Sequence, residues 1–187
     1  RWLGQKKLAF WGHGRNFQAN SSKSLSESVK RRFSLCVDHW FAYTDISRRI
    51  VESIGFPAEN ITTVNNAIDT RDNVALLESI TEQELNRLRN EYGIGPDAPV
   101  AIFCSRIYRD KRPDFLLEAA SALRRKYEGF HLFVLGAGPH AEKIRGFAQK
   151  NNTWFHYVGS CYGRQKVALF KLADAQLLPG AVGLHLV

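Results

Sequence analysis

Pro99–Pro139 reads PVAIFCSRIYRDKRPDFLLEAASALRRKYEGFHLFVLGAGP. Two near-continuous apolar runs, Pro99 to Ser105 and Phe130 to Gly136, enclose a helical pattern from Asp114 to Tyr127 whose Phe115, Leu116, Ala119, Leu123 and Tyr127 share one side. A strand with one wet face alternates apolar and polar residues, so an unbroken apolar run of strand length marks a strand buried on both faces, as in a parallel sheet. Strand, helix and strand in that order form one right-handed crossover, and crossovers place ligands at the carboxyl ends of the strands.

The same alternation extends in both directions. Downstream come a helix from Ala141 to Lys150, a strand from Trp154 to Val158, a helix from Gln165 to Leu172 and a short strand near Gln176 to Leu178. Upstream, strands at Lys7 to Trp11, Val37 to Thr44 and Ile61 to Val64 alternate with helices at Leu25 to Phe33 and Asp45 to Ile54. The second of these helices puts Ile46, Ile50, Val51 and Ile54 on one side and ends at Gly55 and Pro57. After NNAIDT the chain turns polar, and Thr81-Glu82-Gln83-Glu84 reads as a capping box opening a helix to about Tyr92, stopped by GIGPDAP. The expectation is an α/β protein with Rossmann-like, doubly wound parallel sheets in two domains, residues 1–66 and 67–187.

Composition narrows the class of partner. A chain of 187 residues with 44% hydrophobic and 24% charged residues is that of an ordinary globular protein, and its apolar runs fall well short of a membrane span. It opens on Arg1 and holds no methionine, so it reads as a piece of a longer protein. Cys36, Cys104 and Cys161 lie far apart without a CxxC pair, as expected of free buried thiols in a reducing compartment, and the cytoplasm is the expected location. A formal charge of +8 asks for an anionic partner. Nucleic acid is not the expected one, because Phe103, Phe115, Phe133 and Phe170 fall on inferred core faces instead of alternating with cations on an exposed one. The helix bearing Lys30, Arg31 and Arg32 suits peripheral contact with an anionic membrane.

The loops after the strands carry the chemistry. Arg106, Arg109, Lys111 and Arg112 follow the strand ending at Cys104 and precede a helix N-terminus, an electropositive place suited to a diphosphate. The next loop, LGAGPHAEK, places Gly136, Gly138 and Ala141 in G-x-G-x-x-A at a strand-to-helix turn. The acidic residue that would bind the ribose of NAD about 20 positions on is missing from FHYVGSCYG, which tells against a dinucleotide site. Gly159 permits a tight turn, and LLPGAVGLHLV supplies the fourth loop. The six histidines show no metal-ligand spacing, and His39, His131 and His156 sit in strands, where structural roles are expected. A metal site is not expected.

Five segments in order resemble the retaining GT-B glycosyltransferases of family 4. VNNAIDT is similar to the PNGVD that closes their first domain, SRIYRDKRPDFLLEAASAL to GRLxxxKGxDxLIEAxxxL, and HLFVLGAGP to LxIVGxGP. WFHYVGS is similar to VxFxGxV and LFKLADAQLLPG to LYxxADxxxxPS. The resemblance implies two Rossmann-like domains with a sugar nucleotide bound in the cleft between them, and no cofactor beyond that substrate. It implies that Arg106 and Lys111 grip the donor diphosphate and neutralise the departing nucleotide, the role a metal plays in many other transferases. Gly136 and Gly138 would lie near the phosphates, with Gly159 and Cys161 near the base. AFWGHGRN resembles the family's histidine-glycine loop, so His13 would meet the transferred sugar or orient the acceptor, aided by Gly12, Gly14 and Arg15.

Two departures stand out. Ser105 replaces the glycine usual before the first arginine, and Pro179 leads straight into GAVGLHLV, without the first glutamate of the E-x7-E signature. Ribose and sugar contacts then fall to Gly180, Gly183, Leu184 and neighbouring backbone. The implied activity is metal-independent, retaining hexosyl transfer from a nucleoside diphosphate sugar to a glycan or lipid-linked acceptor, in polysaccharide assembly. A non-catalytic nucleotide- or anion-binding module and a sugar-nucleotide epimerase of the same fold are the alternatives.

Overall fold

The computed structural model describes residues 6–15, 25–67 and 69–180. The chain divides into two compact units, Arg1–Ile68 and Asp69–Val187.

In the first unit, strands β1 (Ala9–Gly12), β2 (His39–Ala42) and β3 (Ile61–Thr63) form a parallel sheet in the order β1-β2-β3. Helices α1 (Leu25–Ser34) and α2 (Asp45–Ser53) make the crossovers. Thr44 caps α2, its Oγ1 accepting from the Ser47 N–H at 3.3 Å. The core gathers Trp40, Ala42, Val51, Phe56 and Ile61, with Phe10 set edge-on to Trp40 at 5.3 Å. The inward face of α2 is Ser47 and Val51, whereas Ile46, expected inside, is 64% exposed. The cap fixes the helix phase so that Ser47 turns back to Thr44, and Ile46, one residue earlier, then falls about 100° away on the outer face. Cys36, expected buried, is also exposed.

In the second unit, α3 (Arg71–Ser79) and α4 (Glu82–Tyr92) precede β4 (Val100–Cys104), α5 (Pro113–Lys126), β5 (His131–Leu135), α6 (Ala141–Lys150), β6 (Phe155–Gly159), α7 (Gly163–Leu172) and β7 (Ala175–Gln176). The sheet is parallel in the order β6-β5-β4-β7. The chain therefore moves outward from β4 to β6 and then returns to the far side of β4, which is the order reversal beside which open α/β sheets bind ligands. Both faces are covered, as the apolar runs require. Leu116, Ala120, Ile144 and Phe155 pack on one side of the sheet, and Ile102, Phe133, Val167 and Leu169 on the other.

Two features depart from the expected pattern. The buried stripe of α5 is Leu116, Leu117 and Ala120, while Phe115 and Tyr127 are 46% and 44% exposed. The Arg112 guanidinium lies 4.6 Å from the Phe115 ring centroid and partners that ring outside the core. Helix α3 has no counterpart in the sequence pattern. It buries no residue and has no side-chain cap. It is held from α7, where Lys171 Nζ donates to the Leu77 and Ile80 carbonyls and Arg164 donates to Ser79 and in fork fashion to Glu84.

On β5 and β6, His131 Nδ1 and His156 Nε2 lie 3.0 Å apart in stacked rings. Burial lowers the pKa of both, reinforced by Arg124 at His131 and by His131 at His156, which falls from 6.5 to about 4. The unfolded chain therefore takes up a proton at His156 near pH 6.5 that the folded chain refuses until about pH 4, and stability falls as pH drops through that window. Full shielding would make the loss roughly 3 kcal/mol, and partial exposure brings it to about 2 kcal/mol. Urea midpoints measured at intervals from neutral pH to pH 4 should show this loss, and His156→Gln should remove most of it. An identical pH slope in the variant would refute the assignment.

Candidate functional site

A cavity of about 490 Å³ opens at the carboxyl ends of β4, β5 and β6. Arg106, from the loop after β4, faces the Gly136–Gly138 turn after β5, and Ser160 and Cys161, from the β6–α7 connection, close the third side with Lys166 of α7. Two cations and no carboxylate line it, which makes an anion receptor. Burial pushes the Cys104 and Cys161 thiols up despite nearby Lys166, so both are neutral lining groups and neither is a thiolate nucleophile.

The glycines act first on the loops themselves. Gly136 has φ +133°, and a Cβ there would stand 1.9 Å from the Ser105 carbonyl oxygen. Gly138 has φ +157°, and its Cβ would stand 2.2 Å from the Ile107 carbonyl oxygen. The missing side chains let the two loops meet: the Ile107 N–H donates to Ala137 O at 2.9 Å and the His140 N–H to Ile107 O at 3.2 Å. Arg106 is the residue between the two contacts, so the G-x-G turn fixes the backbone that presents its guanidinium.

Of the expected donor-side residues, Arg106, Gly136, Gly138 and Cys161 come together around this cavity. Gly159 does not line it and instead supports it, its carbonyl accepting from the Gly136 N–H at 2.7 Å. Lys111 is only 8% exposed, sits in the 3-10 turn Arg109–Lys111, lies 5.9 Å from the Tyr108 ring centroid and does not line the cavity. Gly180 packs against that turn, where a Cβ would come 2.1 Å from Asp110 O and 2.5 Å from Lys111 Cα. The loop after β7 thus braces the Lys111 turn. Gly183 and Leu184 lie outside the described residues.

In the first unit, Gly12 ends β1 and its carbonyl accepts from the Tyr43 N–H at 3.1 Å. His13 sets its ring edge-on to Tyr43 at 4.6 Å. Gly14, at φ +74°, passes so close to α2 that a Cβ would be 2.6 Å from Val51 Cγ2, and Arg15 follows it, exposed.

The sequence pattern alone does not single out Lys166. It lies in the first turns of α7, and the available signal is its place in a strand-turn-helix connection that already carries Gly159 and Cys161.

Residues 85–185 match the family described as Glycosyl transferases group 1. A GDP-mannose-dependent alpha-(1-6)-phosphatidylinositol monomannoside mannosyltransferase of Mycobacterium tuberculosis is 30% identical over 94 residues, which are 49% of this chain and 24% of that enzyme. Anabaena Alr3699/HepE, solved in complex with UDP, superposes with a TM-score of 0.66 at 14% identity, covering 97% of this chain and 49% of that one. WaaG, a glycosyltransferase involved in lipopolysaccharide biosynthesis, gives 0.60 at 14% identity over 92% of this chain and 50% of that one. The chain thus spans about half the length of the structures it matches, and at these identities they show the fold alone, that of GT-B proteins. With a family match over more than half of its residues, the chain belongs to the glycosyl transferases group 1 family.

Proposed function

We propose that this chain carries the donor-binding part of a retaining glycosyltransferase of family 4, which moves a hexose from a nucleoside diphosphate sugar to a glycan or lipid-linked acceptor without a metal. The observation that carries the reading is the carboxylate-free cavity in which Arg106 and Lys166 flank a glycine turn at the strand ends. The diphosphate occupies this cavity, with Arg106 as its principal cation. As the bond from the anomeric carbon to the diphosphate breaks, charge grows on the leaving phosphate oxygen, and a fixed guanidinium stabilises that charge more than it stabilises the bound donor. The sugar centre becomes oxocarbenium-like and is attacked from the same face. Lys111 acts through the turn it anchors and through its positive charge, and His13 either meets the transferred sugar or orients the acceptor. The UDP and UDP-glucose complexes of Alr3699/HepE support a nucleotide-sugar donor. No helix among the described residues is long and apolar enough to cross a membrane. The reading places the enzyme in the cytoplasm, meeting a lipid-linked acceptor by peripheral contact through Lys30, Arg31 and Arg32, which are exposed on α1.

Calorimetric titration with UDP, GDP, ADP and NAD in EDTA tests the reading. One nucleoside diphosphate should bind selectively without metal. Absence of binding by all of them, or preferential binding of NAD, would overturn it.

A further inference from the structure

Within the described residues, β6 pairs with β5 alone, and a second cavity of about 460 Å³ runs along its open edge. Tyr92 from the end of α4, Arg145 and Gln149 from α6, Asn152 just beyond it, and His156 and Tyr157 from β6 are among its lining. Arg145 and Gln149 are one helical turn apart, and consecutive strand residues point to opposite faces, so the lining wraps around both faces of the edge. None of these side chains lines the cavity of Arg106 and the glycine turn.

The lining sets amides among aromatic and apolar surface, with Arg145 as its one cation. Arg145 pairs with Glu142 on its own helix and lies 5.8 Å from the Tyr157 ring centroid. Burial keeps His156 neutral at physiological pH, its Nε2 engaged with His131. The remaining groups are the amides of Gln149 and Asn152, the rings of Tyr92, Phe155 and Tyr157, and the small apolar side chains of Ala148 and Val158. An anion would find a single solvent-exposed cation with Glu142 beside it, and a wholly apolar ligand would strip water from the amides without replacing its hydrogen bonds. Aromatic surface beside neutral donors and acceptors matches a ligand that has C–H faces and many hydroxyls.

We propose that the β6 edge cavity is an accessory saccharide site that holds a neutral hexose chain away from the nucleotide cavity. Its volume falls in the range of small-ligand pockets, about 300–1,000 Å³. A strand of another protein is the other occupant an open edge invites, but it would bind through backbone groups and would leave the gathered amides and rings without a purpose. The site is also joined to the nucleotide cavity. The Tyr157 hydroxyl donates to the Gly136 carbonyl at 3.0 Å, so one side chain lines the edge cavity and holds the glycine turn. Saccharide packed on Tyr157 therefore shifts nucleotide affinity; this linkage rests on the donor reading, whereas the saccharide site does not.

The test is titration of the isotopically labelled chain with linear manno-, gluco- and galacto-tetraoses, with and without UDP and GDP, followed by amide NMR. At least one tetraose should shift the amides of Tyr92, Gln149, Asn152 and Tyr157. The double variant Gln149→Ala/Asn152→Ala should weaken that tetraose about tenfold, the loss of one or two hydrogen bonds, with nucleotide affinity unchanged. Tyr157→Phe should keep tetraose binding and abolish its effect on nucleotide affinity. The saccharide site is overturned if no tetraose shifts these amides, if the shifts lie only around Arg106 and Gly136, or if only an extended peptide engages β6. Saccharide shifts without nucleotide binding would sink the donor reading and leave this site standing.

Discussion

Gly138→Ala is expected to be among the most damaging single-methyl changes in the second unit, lowering unfolding free energy by about 3–5 kcal/mol and abolishing nucleotide binding. Two penalties combine. A non-glycine residue at positive φ outside the left-handed helical well costs about 1–3 kcal/mol. The new Cβ would also stand 2.2 Å from the Ile107 carbonyl oxygen and 2.8 Å from its carbon, and those are backbone atoms that cannot rotate away. Relief requires the β4 loop to move off the β5 loop, which breaks the Ile107 and His140 hydrogen bonds and carries Arg106 with it. Gly146→Ala is the matched control. Gly146 lies within α6, and a Cβ there would meet nothing within 4 Å, so alanine should be neutral or stabilising by up to about 1 kcal/mol. Thermal and urea unfolding of the two variants side by side checks the contrast. Equal stability of both, with nucleotide binding intact, would show that the loops do not meet as described.

The G-x-G turn also shows where reading the sequence stops. Its residues and its place after β5 are legible, because a buried parallel strand leaves an unbroken apolar run that ends in a glycine. From sequence, the glycines suit close approach to a phosphate. The structure adds that their missing side chains admit the Ser105–Ile107 backbone, a contact between loops some thirty residues apart that no local pattern encodes. Helix α3 is illegible for the same reason: no buried stripe marks it, and its partners Arg164 and Lys171 lie on α7. The faces of α2 and α5 differ from expectation at Ile46 and Phe115, where apolar residues suit several helical phases and a cap or a cation decides among them.

At the candidate site, the cations are legible as a group but not as individuals. Arg106 and Lys111 come from one basic loop, yet one lines the cavity exposed and the other is buried in the turn behind it. Lys166 is hidden in an ordinary amphipathic helix and joins Arg106 at the cavity only because β6 lies beside β5.

Arg106→Ala should therefore separate binding from folding, with nucleoside diphosphate affinity falling about 30- to 100-fold while the unfolding free energy stays within about 0.5 kcal/mol of the parent. The affinity loss follows from removing charge-assisted hydrogen bonds to phosphate oxygens, each worth about 1.5–3 kcal/mol. Stability is spared because Arg106 is exposed and holds no element together. Arg106→Lys should recover only part of the affinity, since an ammonium keeps the charge but loses the planar fork. Lys111→Ala should behave differently, weakening binding and stability together, because it empties a buried position in the turn behind the cavity. Calorimetry at two salt concentrations sharpens the test: the parent should lose affinity as salt rises, and Arg106→Ala should show a shallower dependence. If Arg106→Ala binds as tightly as the parent while Lys111→Ala folds normally and does not bind, the diphosphate lies on the Lys111 side of the loop, and the cavity between Arg106 and the glycine turn is not its seat.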